Sequence, residues 1–430
     1  MKGRVEALRR SLLQYQRTTF LLASGLSTAG SFAGLTAKGW ILMDGSGNAL
    51  ILAIHFAALA LPSLLVSGAA GVATDRLGSE TVLVRAQWAL FGAGLLGAIA
   101  IPLTHGGLQM GLLLLSTLLV GVASAYELTS RNKYCALLVD QPQQLAPYLA
   151  SFSVVFNVGK LVGPPLGGWL LALTGPSTAL ALDAMSYLLP IATILWLVAP
   201  HRSAEQLSGE QLSGDPLSAT LRLEEHAATP ADASLLAAWQ SCGGVLRHVL
   251  RYTALACLVI FFHPGLAPLM ARRVLDSSPQ ALGTFTSVLA AGSICGGLIL
   301  RRYSRRICTR PGLLLGVCTV VTGAAQLGMA SSTAMAVGLA MTFLIGAGTA
   351  CLLAGVNLIT QVGAAQRIRG RMAGMGQIAF LGGGGISGLI AAGLSLSWGL
   401  EATFTVMGSL GLALGILELV RRGGLVLKPA

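Results

Sequence analysis

The sequence predicts an all-α polytopic membrane protein with twelve transmembrane helices in two pseudo-symmetric six-helix halves, both termini cytoplasmic. Three observations predict it. Of 430 residues, 54% are hydrophobic and only 10% are charged, with a mean hydropathy of +0.74; a soluble domain carries roughly 25% charged residues. At roughly 20 residues per crossing, the apolar runs fall at 19–43, 48–70, 84–103, 107–126, 147–173, 177–199, 250–271, 280–300, 312–330, 333–356, 373–396 and 402–420. The basic residues are also segregated. With the N-terminus inside, 24 of the 28 Lys and Arg lie on the cytoplasmic side, Arg272 and Arg273 lie outside, and Lys38 and Lys160 lie within spans. That bias is the positive-inside rule, and an even number of spans returns the C-terminus to the cytoplasm. The net charge of +12 is explained by those loops, so nucleic acid is not an expected partner.

Taken in order, residues 1–18 form a basic amphipathic cytoplasmic segment. A run of full membrane length follows without a small-residue cleavage site, so no cleavable signal peptide is expected. The N-terminal half covers 19–199. In its second span His55 is the only ionisable residue from 49 to 70, and 86–103 carries no charge. The polar turn between these runs is so short that they are expected to be neighbouring antiparallel helices. Residues 200–247 form a cytoplasmic linker with a tandem Glu-Gln-Leu-Ser-Gly at 205–209 and 210–214. Such low-complexity sequence reads as a tether, with a regulatory site as the alternative. The C-terminal half covers 248–420 and a tail covers 421–430. Internal symmetry supports the division: Gly163-Pro164-Pro165-Leu166-Gly167-Gly168 in span 5 is echoed by Gly383-Gly384-Gly385-Ile386-Ser387-Gly388 in span 11. The seven cysteines show no metal-ligand spacing and none falls in an external loop; they read as small apolar residues.

The polar turn after span 2 reads Gly71-Val72-Ala73-Thr74-Asp75-Arg76-Leu77-Gly78. This Gly-x-x-x-Asp-Arg-x-Gly pattern resembles the loop between helices 2 and 3 of the major facilitator superfamily of secondary transporters. Three further stretches narrow the likeness: Ala125-Tyr126-Glu127-Leu128-Thr129-Ser130-Arg131 after span 4, the Asn157 to Gly168 region of span 5, and Gly244-Val245-Leu246-Arg247-His248 before span 7. Together they resemble the enterobactin-exporter-like, drug-efflux branch of that superfamily, over nearly the whole chain. The resemblance implies the major facilitator fold, alternating access, export of a small amphiphilic compound (siderophore, drug or secondary metabolite), and coupling to protons or another ion by antiport. It implies a monomer in the inner (plasma) membrane, with a small-molecule substrate and the lipid bilayer as its partners. Two positions depart from the pattern. Ser79-Glu80 stands where a basic residue is usual, and Lys160 stands where Arg is usual, which keeps the charge but loses the bidentate geometry.

The site candidates follow from the cost of charge in a bilayer, roughly 2.5–3.5 kcal/mol per group on insertion scales. Lys38, Lys160 and Asp183 are therefore expected to face an interior cavity or one another. The excess positive charge suits an anionic or oxygen-rich substrate, with Asp183 paired to a lysine. The alternatives are snorkelling of Lys160 and a capping role for Asp183 at the external end. His55 and His263 are candidates for proton coupling and Asn157 for a substrate hydrogen bond; each alternatively serves packing. Glu127 and Arg131, at i and i+4, can pair on one helix face and act as a cytoplasmic gate with Gly71, Asp75, Arg76 and Gly78, or as a plain helix-end salt bridge. The span-5 motif of Gly163, Pro164, Pro165 and Gly167 allows a kink and close helix contact. No phosphate-binding loop, zinc motif or nucleophile elbow occurs, so no cofactor, metal or catalytic residue is expected and the chain is not expected to be an enzyme. Uptake or lipid flipping of an anionic substrate is the alternative within transport. A non-transporting membrane sensor or scaffold is the alternative outside it.

Overall fold

The computed structural model describes residues 2–139, 142–197, 239–275, 278–332, 334–364 and 369–425. Every regular element among them is a helix, the form that satisfies each backbone donor and acceptor within its own segment inside lipid. The N-terminal half contains α1 (Lys2–Ser46), α2 (Ala49–Leu77), α3 (Ser79–Leu103), α4 (Gly106–Leu137), α5 (Pro142–Thr174), α6 (Pro176–Ser186) and α7 (Leu188–Leu197). The C-terminal half contains α8 (Gly244–Ile260), α9 (His263–Val274), α10 (Pro279–Thr309), α11 (Pro311–Ser331), α12 (Met335–Gly363) and α13 (Arg369–Arg422). Ten helical stretches among the described residues are long and apolar enough to cross a membrane. One of them, Ile378–Arg422, is bent back at Gly399, and the apolar end of α5, Leu161–Thr174, is a shorter helix. This path is compatible with twelve crossings.

The element bounds differ from the hydropathy runs where helix continues past the membrane. The α1 helix runs through the basic segment into span 1, because past Gly3 that segment holds three Leu and four Arg and no Pro or further Gly before span 1. The polar turn after span 2 is helical to Leu77 and resumes at Ser79, leaving Gly78 alone (φ 83°, ψ 145°) to reverse the chain. Although consecutive, α2 and α3 are not close neighbours: each packs mainly on α4, and α3 also packs on α6. Span 6 is broken at Tyr187 and span 7 at Phe261 and Phe262.

The internal repeat is visible in how helices pair. In the first half α1 packs on α5, α2 on α4 and α3 on α6. In the second, α8 packs on the first limb of α13, α10 on α12 and α11 on the second limb of α13. The turns repeat as well. Gly175 between α5 and α6 has φ 84° and ψ 170°, and Gly399 between the limbs of α13 has φ 83° and ψ 167°. That region of backbone space is essentially open to glycine alone.

The span-5 motif is a packing device on two sides. A Cβ on Gly163 would lie 2.6 Å from the Ala29 carbonyl oxygen and one on Gly167 2.3 Å from that of Ala33, so α5 rests directly on the α1 backbone. On its other side, a Cβ on Gly283 of α10 would lie 2.9 Å from the Pro164 carbonyl oxygen, and the Ser287 hydroxyl donates to the Leu161 carbonyl at 3.0 Å. The repeat partner does the same: Gly383 of α13 rests on Ala254 and Cys257 of α8, and Gly385 faces Leu61 of α2 in the other half.

The two halves share one apolar core at the outer end, where Trp40, Leu42, Met43 and Leu52 pack with Phe262, Leu266, Met270 and Phe404. Toward the cytoplasmic end the cores are separate. Phe20, Leu83, Tyr134 and Phe152 belong to the first half alone, and Leu246, Leu315, Leu352 and Phe380 to the second. The outer end is also tied by Arg272 of α9, 3.1 Å from Asp44 of α1 and stacked over Trp40 at 5.1 Å. Among the described residues the halves thus share a buried core at the outer end and keep separate buried cores toward the cytoplasm.

Candidate functional site

A bay of about 290 Å³ lies inside the N-terminal half, lined by residues of α1 to α7 and by none of the C-terminal half. Helix periodicity builds its walls. Ser24, Ser27, Ser31 and Lys38 recur on one face of α1, while Thr117, Ser124, Glu127 and Arg131 recur on one face of α4; residues three, four and seven apart share a face. Gln87 enters from α3, His55 from α2, and Asp183 and Tyr187 from the broken sixth span.

At the deep end Lys38 and Asp183 are 4% and 5% exposed. The Lys38 ammonium donates to the Ser116 hydroxyl at 2.8 Å, and Ser116 donates to the Ala93 carbonyl at 2.6 Å. Asp183 interacts electrostatically with Lys38, but no ion pair within 4.0 Å joins them among the described residues. Tyr187, one helical turn after Asp183, accepts from the Ser31 hydroxyl at 3.0 Å and lines the same bay. The carboxylate sits over Gly34, where a Cβ would lie 2.0 Å from Oδ2; only a glycine admits it there.

The polar atoms are not balanced. The Thr117 hydroxyl donates to the Leu113 carbonyl at 3.0 Å and lies 3.0 Å from His55 Nδ1. Its one proton being so used, His55 carries hydrogen on Nδ1 and leaves Nε2 as a bare acceptor, an assignment made from the network. His55 Nε2, Gln87 Oε1 and Asp183 Oδ1 are all buried without a hydrogen-bond partner among the described residues. Unsatisfied buried acceptors are rare because each costs about 1–3 kcal/mol. The bay is mostly apolar-lined, but beside these three acceptors it has room for several waters at roughly 30 Å³ each.

At the cytoplasmic end Arg131 bonds Glu127 at 2.9 Å, both half-buried, and Arg131 stacks over Phe152 at 5.7 Å. Arg76 is exposed and takes no part in this pair. Gly71 and Gly78 lie at the end of α2, Gly71 within the helix and Gly78 at the turn. His263 is buried against the Phe261 ring, at 5.0 Å, away from the bay. The side chains of Asp75, Asn157 and Lys160, the linker repeat and residues 426–430 lie outside the described residues. The structure thus brings together Lys38, His55, Asp183, Glu127 and Arg131, and adds Gln87, Ser116, Thr117 and Tyr187, which the sequence reading passed over. Gln87 carried a signal, being an amide in an apolar run scanned only for charge. Arg272 carried another as one of the two basic residues on the outer side.

The family described as transmembrane secretion effector matches residues 12–422. The chain is 26% identical over 394 residues to the multidrug efflux pump Tap of Mycobacterium tuberculosis, covering 90% of this chain and 88% of that protein. It is 27% identical over 407 residues to the protein of the same description from Mycolicibacterium fortuitum, covering 90% and 92%. Among solved structures, a mutant of the peptide transporter POT in complex with sulfate superposes with a TM-score of 0.68 at 13% identity, over 95% of this chain and 96% of that one. A mutant of the nucleoside transporter NupG superposes with a TM-score of 0.67 at 12% identity, over 94% and 99%. At those identities the structures speak for the fold alone, which is that of the major facilitator superfamily.

Proposed function

We propose that this chain, which belongs to the transmembrane secretion effector family of the major facilitator superfamily, exports a small amphiphilic compound from the cytoplasm by alternating access, in exchange for protons. The observation that carries the reading is the end-to-end asymmetry: one apolar core joins the halves outside, and each half has its own core toward the cytoplasm. Halves held together at the outer end leave the cytoplasmic side as the one from which a compound is loaded in this reading. The relatives described as multidrug efflux pumps support the outward direction and a drug-like, siderophore-like or secondary-metabolite substrate.

In this reading residues 19–199 and 248–420 are the two rocking bodies, tethered by 200–247. The contacts of Gly283 on Pro164 and of Gly385 on Leu61, which cross from one half to the other, are the bearing surfaces. Glu127 and Arg131 form the cytoplasmic gate, with Asp75 and Arg76 beside it. Lys38, His55, Asn157, Lys160 and Asp183 supply the charge and hydrogen bonding that select substrate or carry the coupling ion. The protein works as a monomer in the inner membrane, both termini in the cytoplasm. Anionic uptake through an excess of lysine charge is disfavoured because Lys38 shares its bay with Asp183.

Two measurements test this. Metabolites are profiled in cells and spent medium with and without the gene; a compound that accumulates inside the deletion strain and disappears from its medium is expected. Everted membrane vesicles are then given ethidium and an imposed pH gradient, acidic inside. Accumulation that nigericin abolishes is expected. A compound depleted inside the deletion strain, or vesicle accumulation indifferent to the gradient, overturns export or proton exchange respectively.

A further inference from the structure

We propose that Asp183 is the group that takes up and releases the transported proton, and that the proton reaches it through a hydrated passage inside the N-terminal half rather than through the cleft between the halves. The proposal rests on the proton-exchange reading above and deepens it.

Three features of the bay carry it. The bay belongs to one half only, so whatever occupies it travels with that half and does not bridge the two. It holds three buried acceptors without partners among the described residues, Asp183 Oδ1, Gln87 Oε1 and His55 Nε2, in a space large enough for the water that would satisfy them. A hydroxyl stripe of Ser24, Ser27 and Ser31 lines the bay together with the Glu127–Arg131 pair and ends 3.0 Å from the hydroxyl of Tyr187, one helical turn from Asp183 in the same bay. Hydroxyls and water both accept and donate, so such a row can pass a proton along without moving a side chain far.

The chemistry is a single protonation. A proton delivered by water binds Asp183 Oδ1, giving the neutral acid; on release the O–H bond breaks and the proton returns to water. The charged and titratable groups around the carboxyl are Lys38 of α1, His55 of α2, Tyr187 at the break of span 6, and Glu127 with Arg131 of α4. α3 presents the neutral Gln87 and α5 presents Phe156. With Asp183 ionised, Lys38 balances its charge. With Asp183 neutral, the Lys38 ammonium is left in the bundle with Ser116 as its hydrogen-bond partner, a buried charge without a counter-charge at close range. The two protonation states therefore favour different arrangements of this half. No substrate atom needs to enter the bay.

The test is an infrared titration of the full-length protein in lipid, which needs no transported compound and so stands apart from the export reading. A buried carboxylic-acid C=O band that appears on acidification is expected in the wild type. It should be lost in Asp183→Asn, kept at an altered frequency in Asp183→Glu, and unchanged in Glu127→Gln. A band that survives in Asp183→Asn overturns the proposal, and so does its loss in Glu127→Gln alone. The Asp183→Glu protein keeps the test decisive should Asp183→Asn not fold. In vesicles that move ethidium, pH is expected to change the maximal rate and leave the KM for ethidium constant. A KM that rises on acidification means that proton and substrate compete for one place, and overturns the separate passage.

Discussion

In the first half Lys38 and Asp183 face a common bay, and three acceptors around them have no described partner. Among the described residues of the second half the buried carboxylate is Glu418 of α13, and it is bonded to His248 of α8 at 2.7 Å. Packing does not distinguish the halves in this way. A Cβ on Gly167 would lie 2.3 Å from a neighbouring carbonyl oxygen, and one on Gly296 of α10 would lie 2.3 Å from that of Ala347 on α12. Helix contact through glycine depends only on shape, and the repeat preserves it on both sides. Buried charge is a separate matter, since removal from water costs several kcal/mol per ion. A half that had only to pack would have no use for it.

The comparison can be broken first at the charges. Asp183→Asn is expected to reduce pH-gradient-driven ethidium accumulation to background while the protein still inserts and folds. Transport near the wild-type level would mean that the first half is no more specialised than the second. The next largest effect is expected on stability and should be blind to which half is altered. Gly167→Leu and Gly296→Leu each force a side chain into a neighbouring backbone and should cost about 1–3 kcal/mol, read as a fall in unfolding temperature in detergent. A large loss at one position and none at the other would break the symmetry of packing. Glu418→Gln weakens a charge-assisted bond worth about 1.5–3 kcal/mol; a smaller drop in unfolding temperature is expected, with proton-driven transport kept. Smallest is Asp44→Asn. That pair with Arg272 is partly exposed and worth about 1 kcal/mol or less. A modest gain in labelling of outer-end cysteines, introduced at Ala53 or Ala267, would report a shift toward the outward-open form.

The fold was legible because the bilayer forces each helix to announce itself as an apolar run, and because lysine and arginine mark the side on which loops lie. Where the reading failed, it failed at polar detail. The turn at Gly78 is one residue long because α2 and α3 continue as helix into the cytoplasm, beyond the reach of a hydropathy window. Consecutive runs were read as neighbours, but both α2 and α3 pack more on α4 than on each other, since which helix packs on which depends on small residues distributed around each cylinder. The candidate site was half legible. Lys38, His55 and Asp183 stand out as ionisable groups in apolar sequence. Gln87, Ser116, Thr117 and Tyr187 do not, because neutral polar residues are common in membrane helices and only their convergence in space sets these four apart. The Asp44–Arg272 tie joins residues 228 positions apart, a distance no local pattern spans.

The length of α1 bears on how the chain enters the membrane. Its 45 residues, at 1.5 Å each, make a rod about 68 Å long, against a hydrocarbon layer about 30 Å thick. One end of that rod carries Lys2, Arg4, Arg9, Arg10 and Arg17, and charge of this kind resists crossing to the outer leaflet. Of the described spans this one is made first, and its basic shaft is held on the cytoplasmic side while its apolar end inserts. Every later hairpin must then thread in alternation with the first, so the orientation of the finished molecule is decided before most of it has been translated.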